Sequence, residues 1–127
     1  MEGPGLMLII KQSQIEQLGA HLRDRFVRAM SAHVRSNFAD RFAILGEEAV
    51  GRLIIEGITK AATFGIVSER DCGGLIHFMF ATQPDFDQRP EFQWAVDALR
   101  TPGFEPTELV DLLYTRWGDH RPAGGRS

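Results

Sequence analysis

The sequence predicts an all-α, single-domain compact bundle of about five helices, and three observations carry that reading. Apolar residues recur at steps of three or four along most of the chain. Helix-opening patterns precede two of these runs, Ser13 with Glu16 and Ser68 with Asp71. Glycines and prolines fall where the runs stop, and no convincing strand pair and no internal repeat interrupts the helical period.

The elements follow in order. Residues 1–6 are Gly/Pro-rich and read as a flexible extension, and Leu8–Ile10 as a short extended segment packed on the domain 7–118. The first helix is expected over 13–37, with Ile15, Leu18, Leu22, Phe26, Met30 and Val34 on one face. Residues 38–45 read as a connection whose Phe38, Phe42 and Leu45 turn inward, closed by Gly46. A second helix is expected over 47–64, with acids in its first turn. Its buried stripe is Val50, Ile54, Ile58 and Ala61 or Ala62, and Gly65 stops it. Gly51 and Gly57 lower its helix propensity by about 1 kcal/mol each against Ala, so close approach of another helix is expected at both.

The third helix, about 69–82, is apolar nearly all round (Cys72, Leu75, Ile76, Phe78, Met79, Phe80) and is therefore placed at the centre of the bundle. Gln83-Pro84 closes it. A polar loop, 85–89, is anchored by Phe86. Pro90 opens a helix to Arg100, and Pro106 opens the last one, which Gly118 ends. Residues 119–127 read as a disordered tail.

Composition narrows the function classes. The 127 residues suit one domain, and 43% apolar content with a net charge of −3 excludes extended disorder. The longest apolar run, Leu6–Ile10, is far shorter than the roughly 20 residues a bilayer requires. Fourteen basic against seventeen acidic residues argue against a nucleic-acid binder. One cysteine, no zinc-type spacing and no secretory signal pattern point to the cytoplasm, with no metal and no cofactor.

A search for chemistry finds no phosphate-binding glycine loop, nucleophile elbow or H-E-x-x-H helix. His21 and His33 share a helix but point about 120° apart, so they cannot share a metal. His120 belongs to the tail. His77 and Cys72 are better read as structural than as base and nucleophile, and Gly73-Gly74 as packing residues. Asp85 and Asp87 could bind a cation, although solvation or capping accounts for them more simply. Arg25, Arg28 and Arg35 form the strip best suited to face a partner, with Trp94, Tyr114 and Trp117 as aromatic anchors.

A spaced pattern runs through Gly57-Ile58, Ala61-Ala62, Phe64-Gly65-Ile66, Ser68-Glu69-Arg70-Asp71, Met79-Phe80, Phe86-Asp87 and Trp94. Met7-Leu8-Ile9-Ile10-Lys11-Gln12-Ser13 precedes it as a start leading into a helix opening. In these residues, over 7–117, the chain resembles an uncharacterised family of small all-helical bacterial proteins often encoded near type VI secretion spike or effector components. Cys72-Gly73-Gly74 departs from the resemblance, where larger apolar residues are more usual. The resemblance implies a non-enzymatic accessory, adaptor or chaperone-like role, with a secretion effector or spike component as partner. It supplies no catalytic residues. An immunity protein against a neighbouring toxin and a small-ligand protein or enzyme with an inter-helix pocket are the alternatives. Oligomeric state is left open.

Overall fold

The computed structural model describes residues 20–120, so the Ser13–Glu16 helix opening, the Leu8–Ile10 segment and residues 121–127 lie outside the described residues. The all-α class holds. Among the described residues are α1 (Ala20–Asn37), α2 (Ala39–Leu45), α3 (Glu47–Thr63), α4 (Glu69–Ala81), α5 (Gln93–Leu99) and α6 (Pro106–Asp119), and no strand element. Two 3-10 turns, Phe86–Gln88 and Pro90–Phe92, precede α5.

Six α-helices replace the expected five or so because 38–45 is itself helical. The Phe38 N–H bonds the Val34 carbonyl at 2.7 Å, Phe42 bonds Phe38 at 2.9 Å, and Gly46 bonds Phe42 at 2.8 Å. The i→i−4 ladder therefore runs through the junction, and only Phe38, at φ −136° and ψ 55°, departs from helical geometry to turn the axis. The expected inward packing of this segment is corrected in part. No residue of α2 is buried: Phe42 is half-buried and Leu45 is exposed. Gly46 ends α2 and precedes α3 at φ +89°, a left-handed conformation that L side chains avoid.

In α3 the buried residues are the expected Val50, Ile54 and Ile58, Ala61 rather than Ala62, and also Gly57. Its two glycines differ. A Cβ on Gly57 would stand 2.7 Å from Ile76 Cγ1 and 3.2 Å from Met79 Sδ, so α4 does approach there. A Cβ on Gly51 would meet nothing within 4 Å, which corrects the expectation of a close neighbour at that position. The helix ends in a Schellman turn, with Gly65 at φ +79° bonding the Ala62 carbonyl and Ile66 bonding that of Ala61.

Ser68 opens α4 by accepting the Asp71 N–H, and its hydroxyl donates to the Asp71 carboxylate. Seven of the thirteen residues of α4 are buried, Asp71 among them. A Cβ on Gly73 would lie 3.6 Å from Met30 Sδ, ordinary contact distance.

Contacts group the chain into two compact units, the first ending at Pro84 and the second beginning at Asp85. In the first, α1 packs on α2, α3 and α4, while α3 packs on α2 and α4. In the second, α5 packs on α6 and on both 3-10 turns. The expected helix over 90–100 is split: Pro90 starts a 3-10 turn, and regular α-helix begins only at Gln93. Phe86 is fully buried, the anchor its loop was expected to need. Glu105 and Glu108 form a reciprocal capping box at the start of α6. That helix continues through Gly118 to Asp119, past the expected stop, because Gly118 takes helical geometry rather than a left-handed turn.

Candidate functional site

Two arrangements in the first unit stand out. The first is an apolar groove, about 300 Å³ in volume, lined by Arg41, Ile44 and Leu45 of α2, Leu53 of α3 and Phe80 of α4, with Gln83 and Pro84 closing one end. Its rim is open: Ile44 is 83% exposed. The carbonyls beyond the C-terminal end of α4 are covered by cations, the placement a helix C-terminus favours. Arg41 Nη1 donates to the Thr82 carbonyl at 3.0 Å, and Lys60 Nζ donates to that of Pro84 at 3.0 Å. The groove thus combines apolar walls with one guanidinium.

The second arrangement is a pair of histidines that spacing along the chain does not reveal. His33 Nε2 of α1 lies 2.8 Å from His77 Nδ1 of α4. The Asn37 side-chain amide donates to the His33 carbonyl at 2.9 Å and stands 3.3 Å from His33 Nδ1. An amide N–H can only donate, so His33 Nδ1 is the acceptor and the His33 proton sits on Nε2. His33 therefore donates to His77 Nδ1. In this chain of bonds the lone pairs of both rings are engaged. Burial, and then the charge of His33, push the His77 pKa below its ordinary 6.5.

The pair continues into an aromatic chain. Phe38, at the α1–α2 junction, has its ring centroid 5.0 Å from that of His77 and 6.5 Å from that of Phe80, the latter nearly parallel at 26°. Phe80 is also a wall of the groove. Rings on α1, the junction and α4 thus connect the histidines to the groove.

The residues singled out in the sequence are placed differently. Arg25, Arg28 and Arg35 are all exposed. Arg28 and Arg35, two turns apart, line a shallow cavity of about 180 Å³ with Ser31, Ala32 and Glu47, and Arg25 is not among its lining residues. The Arg35 guanidinium covers the Phe42 ring at 4.8 Å, a cation–π contact between α1 and α2. In the second unit, the Trp94 ring stacks on His120 at 4.4 Å and 8°. Tyr114 and Trp117 meet edge to face at 5.4 Å. All three large aromatics are half-buried, and burial pushes the Tyr114 pKa up to about 12. His120 caps α6, its Nδ1–H donating to the Arg116 carbonyl at 2.9 Å.

Cys72 is buried, and its thiol donates to the Ile66 carbonyl at 3.5 Å. Asp85 accepts a 2.6 Å bond from Arg89 Nε, which raises the Arg89 pKa. Asp87 accepts from the Gln88 amide at 3.2 Å. Among the described residues, no group of three or more His, Cys, Asp or Glu side chains could hold a metal ion. No described helix is long and apolar enough to cross a membrane. Comparison with known proteins finds no matching family model, no matching characterised protein and no matching solved structure.

Proposed function

We propose that this chain is a non-enzymatic protein-interaction module whose groove receives an amphipathic helix of a partner protein. The partner's apolar residues would lie on Ile44, Leu45 and Leu53, above the buried Phe80, and an acidic side chain would meet Arg41. One observation carries the reading: α2 buries none of its own residues, yet it holds Ile44, 83% exposed, and Leu45 over an apolar groove. Ile44, open to water over most of its surface, gains little folding stability there, so its place over an apolar groove points to another protein. Helix-in-groove recognition suits a surface of helix faces, and the described residues offer no strand edge for an extended peptide to join. Arg is well suited to a bidentate bond with a partner carboxylate.

The resemblance to type VI secretion-associated proteins supplies the context for this reading: an accessory, adaptor or chaperone-like protein of the cytoplasm, acting on a spike or effector component. Occupied histidine lone pairs and a buried Cys72 support a role without catalysis.

The test is recovery of the tagged chain with its partner from the source bacterium, alongside Ile44→Glu, Arg41→Glu and an alanine triple variant at Arg25, Arg28 and Arg35. The groove variants lose the partner and the triple variant keeps it. Retention by both groove variants overturns the reading, and loss by the triple variant alone moves the interface to the arginine strip. Assay of the recovered partner then separates a chaperone, which leaves its activity intact, from an immunity protein, which blocks it.

A further inference from the structure

We propose that the His33–His77 pair is a proton-operated latch between α1 and α4 that sets the wall of the groove through Phe38 and Phe80. The regulatory meaning of the latch rests on the groove being the partner site; the latch itself does not.

The argument begins with proton counting. Asn37, His33 and His77 form a chain of two hydrogen bonds in which each acceptor nitrogen already receives one proton. An added proton has only occupied lone pairs to take. On His77 Nδ1 it faces the His33 N–H across 2.8 Å. On His33 Nδ1 it faces the Asn37 amide. Turning the Asn37 amide to offer its oxygen gives up the 2.9 Å bond to the His33 carbonyl. A first proton on His33 Nδ1 therefore displaces only the Asn37 amide and leaves His33 Nε2–H donating to His77 Nδ1, whereas a second proton, on His77 Nδ1, breaks the bond between the rings and places two cations side by side, which opens the pair.

Among the described residues, the surroundings of His77 offer no compensating anion: on α2, Asp40 is exposed and Arg41 bonds the Thr82 carbonyl. From α1 the facing titratable group is His33 itself, and from the α1–α2 junction it is the ring of Phe38. On α4, Glu69 and Arg70 are exposed at the far end, and Asp71 is bonded to Ser68. Packing of α3 on α4 passes through Gly57, against Ile76 and Met79. The charged Glu47, Glu48, Arg52 and Glu56 of α3 are exposed, and Lys60 reaches the Pro84 carbonyl. The charge acting on His77 is that of His33.

The consequence reaches the groove through α2, none of whose residues is fully buried. Besides its packing on α1 and α3, it is tied by the Phe38 junction, the Arg41 bond to Thr82 and the Arg35 contact with Phe42. Phe38 rests on His77 on one side and on Phe80 on the other. When the pair opens, the support of Phe38 changes, and with it the Phe80 wall and the seat of Ile44 and Leu45. Acidification then alters the groove without any titratable partner group, a two-state element biased by histidine charge.

The experiment uses the full chain with labelled histidine rings and Ile and Leu methyls, followed by NMR from pH 7.5 to 5. The His77 ring is expected to titrate below 6.5, and the Ile44 and Leu45 methyl signals to move with the same midpoint. Exchange of the α2 amides, corrected for intrinsic rate, should rise about fivefold, the factor that one hydrogen bond of typical net strength is worth. His77→Gln and His33→Gln remove the pair from opposite sides, so misfolding of one leaves the other to decide, and in either the shared midpoint vanishes. A His77 midpoint at or above 6.5, methyl signals that stay flat while the ring titrates, or a methyl titration that survives both substitutions overturns the proposal. None of these readouts needs a partner, so failure of the latch and failure of the groove reading are separate results.

Discussion

Replacing Gly51 and Gly57 by alanine, one at a time, is expected to move stability in opposite directions. Both glycines lie inside α3, six residues apart, and neither has a positive φ. The gain in helix propensity is therefore common to both, about 1 kcal/mol. At Gly51 the new methyl meets nothing within 4 Å, so Gly51→Ala stabilises by about that amount, or about 4 °C in melting temperature at this chain length. At Gly57 the methyl would lie 2.7 Å from Ile76 Cγ1, an atom near the backbone of α4 that cannot swing aside as a chain end could. Overpacking of this kind costs roughly 1–3 kcal/mol, which cancels or exceeds the propensity gain. Gly57→Ala is then neutral to about 2 kcal/mol destabilising, and the two variants differ by roughly 1–3 kcal/mol. Urea unfolding followed by far-ultraviolet circular dichroism measures both. Equal stabilisation by the two substitutions would refute the close approach of α3 and α4 at Gly57. A loss of stability in Gly51→Ala would refute the open surface assigned to Gly51.

Three further outcomes are expected. Tyr114 is the chain's one tyrosine, so absorbance near 295 nm reports it directly and should show ionisation at about pH 12 rather than 10. Its raised pKa contributes stability that is complete below pH 10 and is lost as pH rises towards 12, and Tyr114→Phe should abolish that alkaline loss. The sign is opposite for His77, whose pKa is lowered on folding: stability is complete above pH 6.5 and falls as pH drops through the folded value, a slope that His77→Gln should flatten in urea titrations. Ser68→Ala should lower stability by about 1 kcal/mol, since it removes the acceptor of the Asp71 N–H at the start of α4; a change under a few tenths in thermal melts would deny the cap its role.

Much of the fold was legible in the chain because it is local. The period of Phe26, Met30 and Val34, the Ser68 cap, the Gly65 stop and the Pro106 start each depend on residues within a turn or two. Where local reading slipped, the competing effects were also short in range but finely balanced. A single non-helical Phe38 divides a helix from a connection, and Pro90 prefers a 3-10 turn to an immediate α-helix. The Glu105–Glu108 box is hard to read from the chain because Glu is an uncommon cap, although its spacing is visible.

The candidate site is of another kind. His33 and His77 are 44 residues apart, and nothing in the chain between them pairs the two rings. The helical period puts Gly57 on the buried stripe of α3 and Gly51 off it, but which helix meets Gly57 is a matter of packing. Most helical segments, and the apolar face of each, follow from the chain alone, since propensity, capping and periodicity act within a few residues. Only the tertiary structure decided which faces meet, leaving Ile44 exposed over a groove and two imidazoles within a hydrogen bond, because those outcomes depend on how whole helices pack and cross.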